Sequence, residues 1–275
     1  MLMKIEQITG MNLHYLRYSL DYFLDSMEKL EIPTIELWGG FPHFYAEDVS
    51  LADAKELKRK IAARNLHLVC YTPEQLMYAN NIASKSAAVR KRSLDYYEKN
   101  IELASELGTN YMLMTAGTGP FDEQAAPYWE IARESLARLS SKAEQAGVTL
   151  LLEALQNFES NIINSSDQLK HMLQEVNSPS LKGMLDLVGM HASGEGIQDY
   201  LTNIGEICYI HLIDGTPSGH IIPGEGQLPL REYIRQINEF GYEGYLGLEL
   251  CSSKYFPDPH QAVAASLEYV KNHLV

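Results

Sequence analysis

Short apolar runs alternate with helix-period segments along the whole chain, and the alternation completes eight rounds. The runs are KIEQIT (4–9), TIELW (34–38), LHLVCY (66–71), YMLMT (111–115), TLLLE (149–153), KGMLDL (182–187), CYIHLI (208–213) and YLGLEL (245–250). Most are continuously apolar, as expected of parallel strands buried on both faces. Between them, Leu20, Phe23, Leu24, Met27 and Leu30 recur at spacings of three and four, which is one face of a helix. Leu230, Ile234, Ile237 and Phe240 form a second such stripe, with Pro229 suited to its first turn and Gly241 to the position just past its end. Helical segments at 86–107 and 125–146 stop at Gly108 and Gly147.

A doubly wound sheet also alternates strand and helix. The count of eight, the polar residues that end the later strands, and a length of 275 residues favour a (β/α)8 TIM barrel, which takes ~250 residues. No low-complexity linker or compositional seam divides the chain, so a single α/β domain over residues 1–275 is expected.

In such barrels the chemistry sits at the C-terminal ends of the strands. Four residues of metal-ligand type lie there: Glu153 after VTLLL, Asp186 after KGML, His211 inside CYIHLID and Glu249 after YLGL. Their gaps of 33, 25 and 38 residues are each about one strand–helix–strand repeat of ~30 residues. Any one of them alone reads more readily as a helix cap, a salt-bridge partner or a satisfied core histidine. Four ionisable groups together on strands five to eight, with almost no cations there to pair them, point instead to a shared divalent ion. Three oxygens and one nitrogen suit Mn²⁺, Mg²⁺ or Co²⁺, with Zn²⁺ also compatible.

Further polar groups surround this set. Glu159 follows Glu153 by six residues in EALQNFES, and the segment HLIDGTPSGHIIPGEGQLPL carries His220 in a Gly- and Pro-rich loop of the kind that stands over a site. In the N-terminal half, LWGGFPHFYAED supplies Trp38, His43 and Phe44, and CYTPEQ supplies Tyr71 and Glu74. Aromatics and a few polar groups at strand ends suit a wall for a small polyol, although each alone is more often a packing residue. No GxGxxG or GKS/T element follows any strand.

A formal net charge of −14 disfavours a nucleic-acid partner. No apolar run approaches the ~18 residues of a membrane span, and MLMKIEQ lacks the apolar centre of a signal peptide; a cytoplasmic protein is expected. Cys70, Cys208 and Cys251 lie in or beside apolar runs without metal-type spacing and read as buried, reduced thiols.

The stretches IELWGGFPHFY, CYTPE, LLLEALQNFESNII and HIIPGEGQLPLREYIRQINEFGYEGYLGLEL, spread over residues 34–250, resemble the xylose-isomerase-like group of sugar isomerases and epimerases. Within that group they are most similar to the ketose 3-epimerases, and among these to the bacterial enzymes that act on fructoselysine. The resemblance implies a metal set of Glu153, Asp186, His211 and Glu249, with Glu153 and Glu249 also exchanging the C3 proton from two sides through a metal-stabilised enediolate. It implies that Glu159 binds substrate and, as relatives are often dimers or tetramers, a homo-oligomer, with exposed aromatics of the 41–45 loop as a candidate interface. Ketohexose epimerases carry a histidine where this chain has Gly189, the nearest being His191, and an arginine where it has His220. Those departures point away from a plain ketohexose and toward a substituted ketose such as fructoselysine. The competing expectations are an aldose–ketose isomerase of sugars or sugar phosphates, a metal-dependent DNA phosphodiesterase such as endonuclease IV, which shares this barrel, and a non-catalytic sugar-binding barrel.

Overall fold

The computed structural model describes residues 4–75, 80–216 and 218–273. Residues 1–3 of the MLMKIEQ stretch and Pro217 of the Gly- and Pro-rich loop lie outside the described residues. The strands are β1 (Ile8–Met11), β2 (Thr34–Gly39), β3 (His67–Pro73), β4 (Tyr111–Thr115), β5 (Thr149–Glu153), β6 (Leu181–Gly183), β7 (Leu185–Asp186), β8 (Tyr209–His211) and β9 (Tyr245–Leu248). Around them run α1 (Leu20–Lys29), α2 (Leu51–Ala62), α3 (Ala87–Leu107), α4 (Ala126–Ala146), α5 (Ser166–Val176), α6 (Leu187–Ala192), α7 (Ile197–Ile204), α8 (Leu230–Phe240) and α9 (Pro259–His273).

All ladders are parallel, in the order β6-β5-β4-β3-β2-β1-β9-β8-β7. The two ends of that order are one chain segment split at Met184. Its first half pairs with β5, through Leu152 opposite Gly183, and its second half with β8, through Asp186 opposite His211. The expected sixth strand therefore closes the ring by changing neighbours halfway along. It is a TIM barrel.

Side chains alternate between two cores, as the strand period of two requires. Leu150 and Leu152 of β5 pack outward with the helices, as do Met112 and Met114 of β4. Leu151, Leu113, Cys70, Met184 and Tyr209 fill the barrel interior. Serines start several helices: the Ser19 hydroxyl accepts from Tyr22 N, and Ser50 and Asp53 form a reciprocal capping box. Gly108 and Gly147 end α3 and α4 in the left-handed region, at φ of +82° and +69°, where a residue without Cβ is least strained.

Three expectations need correction. The first strand begins at Ile8 rather than Lys4, because Ile5–Gln7 forms a 3₁₀ turn. Gln7 holds that turn, accepting from Lys4 N at 2.7 Å and donating to Gly244 O at 2.7 Å. Cys251 is exposed while Cys70 and Cys208 are buried, since β9 ends at Leu248 and leaves Cys251 on the rim. In the 41–45 loop Phe41 is exposed, but Phe44 is buried against Tyr71. Among the described residues no helix is long and apolar enough to cross a membrane.

Candidate active site

Glu153, Asp186 and His211 are the last residues of β5, β7 and β8, and Glu249 follows the end of β9 by one. The barrel brings one ligand atom from each within 4.8 Å of the others. His211 Nδ1 lies 3.0 Å from Glu249 Oε2 and 3.6 Å from both Glu153 Oε1 and Asp186 Oδ2.

The outer atoms of this cluster are already engaged. Glu36, wholly buried on β2, faces His211 Nε2 at 3.2 Å and also accepts from Tyr209 Oη at 2.7 Å and Thr72 Oγ1 at 2.5 Å. A carboxylate at Nε2 keeps the proton on that nitrogen and turns Nδ1 toward the cluster as a lone-pair donor, the arrangement that orients metal-binding histidines. Asp186 divides its oxygens similarly. Oδ1 accepts from Gly189 N at 2.6 Å and caps α6, which leaves Oδ2 for the centre.

The inward atoms have no such partners. Asp186 Oδ2, His211 Nδ1 and Glu249 Oε2 are buried without a hydrogen bond. The close His211 and His220 approaches to Glu249 meet in distance without hydrogen-bond geometry. Buried polar atoms are almost always satisfied, so three orphans aimed at one point fit a cation there. Electrostatics agree. Burial pushes the Glu153 carboxyl up to about 7, helped by the neighbouring Glu249 and Asp186. Burial acts the same way on Glu249, but the charges of His211 and His220 override it and hold that carboxyl well below the usual range. Burial opposes charge on His211 too, and Glu249 and Glu36 outweigh it, raising its pKa. The carboxylates of the cluster favour positive charge at its centre.

A cavity beside the cluster is lined by Glu153, Asp186 and Glu249 together with Glu159, His220 and Gln156. Glu159 accepts from Gln156 N at 3.0 Å, and burial raises its pKa. His220 Nδ1 is 2.9 Å from Glu249 Oε2. Gln156 Oε1 is another buried oxygen without a partner, and nothing in its spacing announced it. His191 points elsewhere, with Nδ1 2.8 Å from Tyr233 Oη on α8; His220 is the histidine of this cavity, and Gly189 lies on its wall.

The loop that carries His220 is assembled around Asp214, which is buried and accepts from Gly215 N, Gly224 N, Gly226 N and Leu228 N at 2.9–3.1 Å. A Cβ on Gly226 would stand 2.1 Å from Asp214 Oδ1, so the PGEG turn must have glycine there. Cys251 N donates to His220 O at 3.2 Å and ties the loop to the chain after Glu249.

The five residues expected from the N-terminal half do not line this cavity, and Phe44 packs on Tyr71 instead. Trp38 Nε1 donates to Glu74 Oε2 at 3.1 Å, and the two are buried against each other. His43 is taken up on both ring nitrogens, by Asn12 Nδ2 at 2.8 Å and Tyr18 O at 2.9 Å, and braces its loop. Tyr71 is a correction of a different kind. It lies on the outward parity of β3, wholly buried among the helices, with Oη donating to Asn100 Oδ1 at 2.7 Å. Glu36 was missed, although an acidic residue in the middle of an apolar strand was the visible signal.

The convergence of three carboxylates and an imidazole at the fifth to eighth strand positions defines a TIM barrel with a candidate metal site. The chain belongs to the xylose isomerase-like TIM barrel family, whose model matches residues 24–273. It is 31% identical to the fructoselysine 3-epimerase of Shigella flexneri over 255 residues, 92% of each chain. It is 24% identical to the D-psicose 3-epimerase of Ruminiclostridium cellulolyticum, over 83% of this chain and 77% of that one. In fold it is similar to the 3-keto-D-glucoside 4-epimerase of E. coli, with a TM-score of 0.81 at 18% identity over 97% of this chain and 99% of that one. It is an enzyme of the isomerase class, among relatives named as epimerases.

Proposed function

We propose that the protein is a divalent-metal-dependent ketose 3-epimerase acting on a substituted ketose of the fructoselysine kind. The observation that carries this reading is the pair Glu153 and Glu249, two carboxylates that reach one centre from strands three places apart around the ring. Inverting a carbon through its enediolate takes a base on one side and an acid on the other. In the metal-free cluster burial favours the proton on Glu153, and the flanking histidines favour the anion on Glu249. Glu153, Asp186, His211 and Glu249 would hold the ion, for which three oxygens and a nitrogen favour Mn²⁺. When bound, it supplies Lewis-acid polarisation of the C2 carbonyl. His220, Glu159 and Gln156 line the cavity beside the cluster and would contact the polar groups around the reacting carbons. The identity with the Shigella flexneri protein across 92% of both chains supports the amino-acid-linked ketose over a free hexose.

The test is proton exchange in D₂O with Mn²⁺ and fructoselysine. Deuterium is expected at C3, and label at C1 or C2 instead would establish an isomerase. Glu249→Gln should cut C3 exchange by ~10²-fold or more, the scale of a lost general base, with the thermal transition retained. Wild-type turnover in that variant would refute the two-base assignment.

A further inference from the structure

We propose that a second cavity, which shares wall residues with the first, is the subsite for the substituent on C1 of the ketose, with Glu159 receiving the linking amine and Arg92 the terminal carboxylate. This rests on reading the chain as an epimerase of substituted ketoses. The cavity over the cluster measures only ≈ 40 Å³, room for the reacting carbons and little more. Its neighbour measures ≈ 280 Å³ and shares two wall residues with it, Leu155 and Glu159. The second alone is close to the ~300 Å³ at which small-molecule sites begin.

The rest of the second wall comes from the segments after β3 and β4 and from the first turns of α3, with Gln75, Asn81, Thr118 and Arg92 contributing. It is built in advance. Asn81 Nδ2 donates to Thr118 O at 2.7 Å, while its Oδ1 accepts from Ala83 N at 3.0 Å, so the two loops are locked to each other. Gln75 Oε1 accepts from Thr115 N and from Tyr97 Oη.

The charges on this wall sort by position. Glu159 stands where the two cavities meet. Arg92 lies on the part the cluster cavity does not share, and it is the one Lys or Arg among the described residues lining either cavity. In a chain of net charge −14, around a cluster of carboxylates, a guanidinium on the wall is a selective feature. A ketose aminated at C1 presents complementary charges. With its C2 carbonyl at the cluster, the protonated secondary amine is one carbon away, at the junction where Glu159 offers a counter-charge. An amino acid carried on that amine ends in a carboxylate, which a guanidinium grips through two parallel hydrogen bonds. A free ketose has only a hydroxyl at C1 and leaves the second cavity without an anion.

The experiment compares fructoselysine with the same ketosamine built on 1,5-diaminopentane, which keeps the amine and lacks the carboxylate. Dissociation constants are measured by calorimetry on the Mn²⁺-loaded protein, alongside C3 exchange. The wild type should bind the carboxylated compound about tenfold more tightly, the scale of a charge-assisted hydrogen bond, and Arg92→Met should bring that ratio close to one. A variant that weakens both ligands equally, or neither, overturns the assignment. If no ketose exchanges at C3 yet the ratio and its loss are seen, the epimerase reading falls and the subsite stands. If a free ketose exchanges at C3 while the wild-type ratio is one, the subsite falls and the epimerase reading stands.

Discussion

Glu36 shows how much one buried carboxylate can decide. It touches nothing that reacts, yet its contact with His211 Nε2 sets which ring nitrogen faces the centre. Glu36→Gln keeps the volume but offers an amide that can meet Nε2 as donor or acceptor. Loss of such an outer partner typically costs 10–100-fold in metal affinity, and titration of the apoprotein with Mn²⁺ should read a loss of that order. His14 gives a residue-scale prediction away from the site. It is wholly buried, faces Pro259 O through Nε2, and burial lowers its pKa to about 4. The unfolded chain takes up this proton near 6.5 and the folded protein only near 4. Its contribution to stability is therefore present above 6.5 and lost as pH falls from there to about 4, roughly 3 kcal/mol in all. Denaturant midpoints of His14→Asn should fall less steeply over that window than those of the wild type. At this scale parity separates the readable from the unreadable. Tyr71 and Glu74 sit three residues apart near the end of one strand, and only knowing which face Cys70 and Thr72 take would have sent the tyrosine outward.

At the scale of elements, the loop after β8 is an Asx-centred construction. Its Pro and Gly content marked it as fixed, but the anchor was not legible, because Asp214 reads in sequence as one more polar residue at a strand end. Four backbone N–H groups converge on its carboxylate. Asp214→Ala would orphan them at ~1–3 kcal/mol each where they remain buried. The expected result is a lowered thermal midpoint together with a fall in kcat/KM as His220 loses its support. An unchanged kcat/KM in a folded Asp214→Ala protein would mean that His220 is held by Cys251 N alone. The helices were the most legible elements, because α3 and α4 stop at glycines that cap them and their apolar stripes are long. The first strand was the least legible, because KIEQIT is apolar enough to extend while Gln7 draws its backbone into a turn.

For the molecule as a whole, eight rounds of alternation were enough for the barrel, since the repeat leaves few other ways to cover both faces of every strand. The convergence of Glu153, Asp186, His211 and Glu249 followed from the barrel. What lay beyond reach was which side chains face which cavity, a property of register and loop packing. A whole-molecule prediction concerns the ion. A ligand at 100 times its dissociation constant stabilises the native state by about 2.7 kcal/mol, and a kilocalorie shifts the midpoint of a domain of this general size by ~2–4 °C. Mn²⁺ should thus raise the midpoint of the chelator-treated protein by several degrees, and Asp186→Asn should blunt that rise.

The split sixth strand adds a topological consequence. The last ladder pair between β5 and β6 is Leu152 with Gly183, and from there the chain crosses to β8. At the level of Glu153 and Asp186 no ladder joins the two sides. A cation held by both carboxylates would be a rivet across that opening, so that the contact completing the chemistry is also the one that fastens the hoop.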